Sequence, residues 1–152
     1  DKGISDLWLY RTDGSERRRL TTHASSESNP VWSPDGRWIA FVAQRDEDKA
    51  AQLYVLPLAG GEALRLTDVP TGVSAPKWYG DSKALAFITR VWPDKDFKAM
   101  GEELKKRADS KMTGRVWETT PVTSFDVSVD ERQAHVYRIA LEGGEAQPLP
   151  LG

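Results

Sequence analysis

The stretch NPVWSPDGRWIAF, Asn29 to Phe41, decides the fold, because a worn copy of it, APKWYGDSKALAF, stands at Ala75 to Phe87. With Trp32 laid over Trp78, an offset of 46 residues also matches Pro30 with Pro76, Asp35 with Asp81, Ala40 with Ala86 and Phe41 with Phe87. A second element keeps the same offset: LWLYRTDGSERRRLT (Leu7 to Thr21) over LYVLPLAGGEALRLT (Leu53 to Thr67). It returns as VYRIALEGGEAQPLP (Val136 to Pro150), so Gly14, Gly60 and Gly143 correspond, as do Leu20, Leu66 and Leu149. A repeat of roughly 40 to 50 residues is the period of propeller blades.

Each unit has a mechanical reading. Proline at the first position of a strand removes a donor the ladder does not need, which suits Pro30 and Pro76. Trp32 and Trp78 carry large apolar surfaces and are expected to be buried between neighbouring sheets. Ser33-Pro34-Asp35-Gly36 is a tight turn: Pro presets φ, Asp bonds its own backbone and Gly takes positive φ. Trp38 to Val42 is a short run of β-formers, as expected for an inner strand covered on both faces. Leu53 to Leu58 supplies a third strand, Gly60-Gly61 turns the chain, and Ala63 to Thr67 supplies a fourth. Pro148 and Pro150 occupy ladder positions of the last strand, which should be a weak exposed edge. The expected fold is all-β, a partial β-propeller of about two and a half four-stranded blades with one helical insertion. A half blade covers residues 7–21, a full blade 30–67 and an interrupted blade 76–150.

The interruption occupies residues 91–133. Across it the offset grows from 46 to 83 residues. Its start reads as a helix from Asp96 to Ser110, capped by Asp94 or Asp96, with Phe97, Met100, Leu104 and Ala108 along one face. Glu102 and Glu103 precede Lys105, Lys106 and Arg107, the order the helix dipole favours, and Gly114 is the expected stop. Arg115 to Asp130 carries Trp117, Phe125 and β-branched residues, which suggests an extended hairpin. Insertions of this length inside compact repeats are often functional.

Composition excludes several classes of function. Net charge is −2 with both signs interspersed, so no global field would attract nucleic acid or an anionic membrane. Arg17-Arg18-Arg19 reads as a solvated strand face, and RDEDK (Arg45 to Lys49) as a solvated loop without the spacing of a calcium site. The chain has no cysteine, which removes disulfides, thiolate catalysis and zinc–thiolate sites. No apolar run approaches a membrane span and no signal peptide is visible. An initiating Met is also missing, as in a processed or excised chain.

The blade pattern NPVWSPDGRWIAFVAQR followed by LYVLPLAGGEALRLT resembles the WD-like repeat shared by TolB-type proteins and the prolyl oligopeptidase family of serine peptidases. In dipeptidyl- and acylaminoacyl-peptidase-like members a charged helical segment in the same place is followed by Arg-His-Trp-Asp-x-Trp and a later Ser-His. Asp126 matches that aspartate and His135, just before VYRI, matches that histidine. Thr123, Ser124, Phe125 and Ser128 stand at the Arg, His and two Trp positions, and only Phe125 keeps an aromatic ring. The resemblance implies a propeller set over an α/β-hydrolase domain with a Ser-Asp-His triad, and peptide substrates for the whole protein. Trp117, Phe125, Asp126 and His135 are the candidate contacts to substrate or to that domain.

The chain itself shows no catalytic apparatus. Gly72-Val73-Ser74-Ala75-Pro76 lacks the second glycine of a nucleophile elbow and leads into a strand. His23 and His135 lack a positioned nucleophile and an orienting acid in sequence, so structural roles are expected for both. No cofactor and no metal are expected. A closed ring needs about four blades or more, and a partial one leaves apolar faces that a soluble monomer rarely tolerates. The expected partners are therefore further copies in a homo-oligomer, or the remainder of the ring with its hydrolase domain. No nucleic acid or membrane partner is expected. The expected compartment is the cytoplasm, with the periplasm as the alternative.

Overall fold

The computed structural model describes residues 4–45, 47–114 and 131–150, with all side chains except those of 111–114. Strand β1 (Trp8–Tyr10) pairs antiparallel with β2 (Arg17–Arg19) in a two-stranded sheet. Strands β3 (Glu27–Trp32), β4 (Trp38–Ala43), β5 (Gln52–Pro57) and β6 (Leu64–Arg65) follow as an antiparallel meander in chain order. A second meander comprises β7 (Ser74–Trp78), β8 (Ala84–Val91), β9 (Gln133–Ala140) and β10 (Gln147–Pro148). Helix α1 (Phe97–Gly114) lies in the connection from β8 to β9. This is a partial propeller: one half blade, one full blade and one blade with an insertion.

Alternation along each strand sends neighbouring side chains to opposite faces, and each face serves a different interface. Ile39, Phe41, Tyr54 and Leu56 of the first full blade form a buried cluster with Leu7 of the half blade. From its other face Ala40, Val42, Leu53 and Val55 pack with Leu85, Phe87 and Ile139 of the second blade. Register repeats with the sequence. Phe41 faces Tyr54 and Phe87 faces Tyr137, and the rings stack at 5.7 and 6.0 Å. Removing apolar area from water at about 25 cal/mol per Å² makes each such side chain worth roughly 1.5–3 kcal/mol.

The end of each repeat is tied back to its third strand. Thr21 Oγ1 accepts the Leu7 N–H at 2.9 Å, and 46 residues later Thr67 Oγ1 accepts the Leu53 N–H at 2.9 Å. Each hydroxyl then donates to a buried side chain, Glu27 in one case and Gln52 in the other. Pro150 replaces the threonine in the third copy. There His135 Nε2 lies 3.0 Å from the Leu149 carbonyl, an alternative tether for the outermost strand.

Three expectations need correction. Pro30 and Pro76 do not open their strands. They sit inside β3 and β7, at register shifts between Ser28 and Val31 and between Ser74 and Lys77, just after Asn29 (φ 52°) and Ala75 (φ 49°). A bulge on an edge strand leaves a position without a ladder partner, so proline fits there as well. Trp32 is not buried: it is 54% exposed, whereas Trp78 is partly buried and donates its indole N–H to the Val31 carbonyl at 3.1 Å. Trp78 has a preceding first strand to rest on, and Trp32 has none among the described residues. Conversely Trp92, in the insertion, is buried beside Met100. The helix begins as expected, with Asp96 Oδ1 accepting the Ala99 N–H at 2.8 Å. It runs past Ser110 and ends at Gly114, the expected stop, but Ala108 is exposed rather than on the packing face.

Candidate functional site

Two clefts open at equivalent places in successive repeats. The smaller, about 430 Å³, lies between the half blade and the first full blade and is lined by Thr21, His23, Arg45, Tyr54, Leu56 and Glu62 among others. The larger, about 770 Å³, lies between the two full blades, where Thr67, Val69, Tyr137, Ile139 and Glu145 occupy the repeat-equivalent positions. Its extra wall is the start of the insertion, Pro93 to Lys98.

That wall is held by packing. Val91, Trp92 and Met100 form a buried cluster, with Phe97, Leu104 and Tyr137 packed against it. Phe97 meets the Tyr137 ring at 5.0 Å. Arg107 and Arg132 lie over the Trp92 ring at 5.0 and 5.5 Å, and Arg107 also bonds Glu103 at 2.8 Å, holding that carboxyl below its usual range. Burial raises the Tyr137 phenol, so it stays neutral. The floor is apolar, and Asp68, Asp94, Lys95, Lys98 and Glu145 bring both charge signs to the cleft.

Around the smaller cleft the wall is ionic. Glu27 is buried and accepts from Arg45 Nη2 at 2.8 Å and from Thr21 Oγ1 at 2.9 Å. The Arg45 guanidinium lies over the Phe41 and Tyr54 rings at 5.3 and 4.9 Å. Asp48 accepts from the Tyr54 hydroxyl at 2.6 Å, from the Arg45 backbone N–H at 3.0 Å and from Arg65. Burial works to raise the Asp48 carboxyl, but these donors together hold it below its ordinary value. Burial and the adjacent carboxylate push the Tyr54 phenol far upward. RDEDK is therefore not simply a solvated loop, since its Arg45 and Asp48 are structural. The composition of the run gave no sign of this, because the partners Glu27, Tyr54 and Arg65 are remote in sequence.

Of the four candidate contact residues, Trp117, Phe125 and Asp126 lie outside the described residues. His135 is described: it tethers Leu149 and meets the Tyr137 ring edge-on at 5.4 Å. His23 Nδ1 accepts the Ser25 N–H at 3.1 Å and lies 2.9 Å from the Ser25 hydroxyl, a local turn. The Arg17–Arg19 strand is exposed as expected, with Arg18 bonding the Leu58 carbonyl and Arg19 paired with Asp6. Among the described residues no cluster of three acids or histidines could hold a metal, and no helix is long and apolar enough to cross a membrane.

Residues 4–106 match the Tricorn protease N-terminal beta propeller domain, more than half of the chain. The chain belongs to that propeller family. It is 42% identical over 56 residues to the uncharacterized peptidase YuxL of Bacillus subtilis, a match covering 37% of this chain and 8% of YuxL. Among solved structures, TolB from Acinetobacter baumannii superposes with a TM-score of 0.58 at 17% identity, over 96% of this chain and 26% of TolB. The acylaminoacyl peptidase of Pyrococcus horikoshii gives 0.55 at 21% identity, over 93% of this chain and 19% of the peptidase. At such identities the two structures speak for the fold alone. The chain matches well under half the length of each of these three proteins.

Proposed function

We propose that this chain is the propeller portion of a prolyl-oligopeptidase-family serine peptidase, and that it restricts and orients peptides in front of an α/β-hydrolase domain. The observation that carries this reading is the local 42% identity, over 56 residues, to a peptidase. The insertion supports it. The described start of the insertion, Pro93 to Lys98, walls the larger cleft, and Trp117, Phe125 and Asp126 follow it in sequence. On this reading the 152-residue chain hydrolyses no peptide or ester by itself, since His135 holds an outer strand and His23 a local turn. Peptide is the substrate of the whole protein, which we place in the cytoplasm.

The test begins with the full-length gene, whose frame should encode Gly-x-Ser-x-Gly with a later Asp and His. In the full-length enzyme, Trp117→Ala and Asp126→Ala should change kcat/KM for long peptides several-fold while leaving a small aminoacyl ester nearly unaffected. Equal effects on both substrates would remove the orienting role. A frame without a hydrolase domain would replace the reading with that of a protein-binding propeller.

A further inference from the structure

The two clefts share their repeat positions, but only the smaller holds an arginine of the chain's own. Leu20, Tyr54 and Glu62 line the smaller, and Leu66, Tyr137 and Glu145 line the larger at the matching places. In the smaller cleft Arg45 is the occupant. Its side chain is 12% exposed, its guanidinium lies 4.9 Å from the Tyr54 ring centre, and Glu27 accepts from it at 2.8 Å. The larger cleft has lost this group. Val91 stands 46 residues after Arg45 and is buried with Trp92 and Met100. No arginine stands among the cleft's described lining residues.

What remains in the larger cleft suits such a group. Leu66, Val69 and Ile139 give it an apolar floor, and the Phe97 and Tyr137 rings, 5.0 Å apart, stand in its wall. Acidity rises where the arginine is lost. Asp68 stands at the repeat position of Thr22, and the insertion brings Asp94 and Asp96 against Lys95 and Lys98. With Glu145, four carboxylates meet two ammonium groups. Asp96 is engaged as the helix cap. Asp68 and Asp94 are 86% and 77% exposed at their side chains, with pairs of 3.6 Å to Arg65 and Lys95. We propose that the larger cleft binds an arginine side chain presented by a peptide, in the place that Arg45 fills in the smaller one. The aliphatic stem lies on Leu66, Val69 and Ile139, the guanidinium meets the Phe97 and Tyr137 rings, and Glu145 and Asp68 accept its N–H groups. A planar guanidinium both stacks on aromatic faces and forks onto carboxylates. This assignment rests on the peptide reading above and adds the side chain that the peptide carries.

The test titrates the whole isotope-labelled chain with a blocked pentapeptide that has arginine at its centre and alanine elsewhere. Saturable one-to-one binding with a Kd below about 1 mM is expected. Citrulline in place of the arginine keeps the shape without the charge and should weaken binding at least about tenfold. Ring signals of Phe97 and Tyr137 should shift, while those of Tyr54 hold still under Arg45. Glu145→Gln and Asp68→Asn should each weaken binding several-fold. Both residues are exposed, so the variants should fold, which circular dichroism verifies. Glu62→Gln, the matching change in the smaller cleft, should leave binding unchanged. Absence of saturation, equal binding of the citrulline peptide, an equal loss in Glu62→Gln, or unmoved Phe97 and Tyr137 signals would overturn the proposal. A gene without a hydrolase domain would remove the peptidase reading and leave this binding intact, so the two failures are distinguishable.

Discussion

The connection from second to third strand takes two forms in this molecule. In the first full blade it is the short segment between β4 and β5, and in the second it grows into an insertion with an 18-residue helix. Both begin from the same stacked pair, Phe41 on Tyr54 and Phe87 on Tyr137. In the first blade a guanidinium covers the tyrosine and a carboxylate takes its hydroxyl; in the second, Phe97 and His135 meet the ring. The repeat fixes the ring pair. The connection decides whether ions or apolar side chains seal it.

The sharpest way to break this comparison is at the rings. Phe41→Ala and Phe87→Ala each remove a side chain at most 1% exposed and should each cost about 3–5 kcal/mol by urea denaturation. Clearly unequal losses would show that the two blades do not share one core plan. Next in size is Glu27→Ala, which leaves the partly buried Arg45 without its carboxylate and should cost about 3 kcal/mol, with no counterpart in the second blade. Asp96→Ala removes the helix cap and should cost about 1 kcal/mol, read as reduced stability with the blades intact. Trp32→Ala should be the mildest, within about 1 kcal/mol, and Trp92→Ala should exceed it severalfold.

Acid should separate the two seals as well. Asp48 has a depressed carboxyl, so its contribution is complete above the unfolded value of about 3.9 and is lost as pH falls through the lower folded value. An Asp48→Asn variant should therefore be less stable at neutral pH, with a flatter stability profile below about pH 4 than the parent chain. Parallel profiles for the two proteins would mean that Asp48 does not titrate as its hydrogen bonds require.

Blade count, strand order, the turn at Asp35 and the helix cap at Asp96 were legible because each is a local pattern or a repetition of one. Asp35 bonds the Arg37 N–H, and Gly36 takes the positive φ that Ser82 adopts in the worn copy. The structural role of Asp48 was not legible, since a charged run looks the same whether it meets water or a buried arginine. The threonine tethers could have been read, because Thr21 and Thr67 recur at the repeat offset.

Sequence by itself determined the repeat, the alternation that gives each strand two faces, and the place of the insertion, all properties carried by residues close along the chain. Tertiary structure decided which of two identical tryptophans is covered. Trp32 and Trp78 follow the same local rule, but burial depends on whether a neighbouring sheet presents a first strand, and only Trp78 has one in these residues. Likewise the two clefts share their repeat positions yet differ in size and wall, because a side chain's surroundings are set by what packs across the gap and not by its own neighbours in sequence.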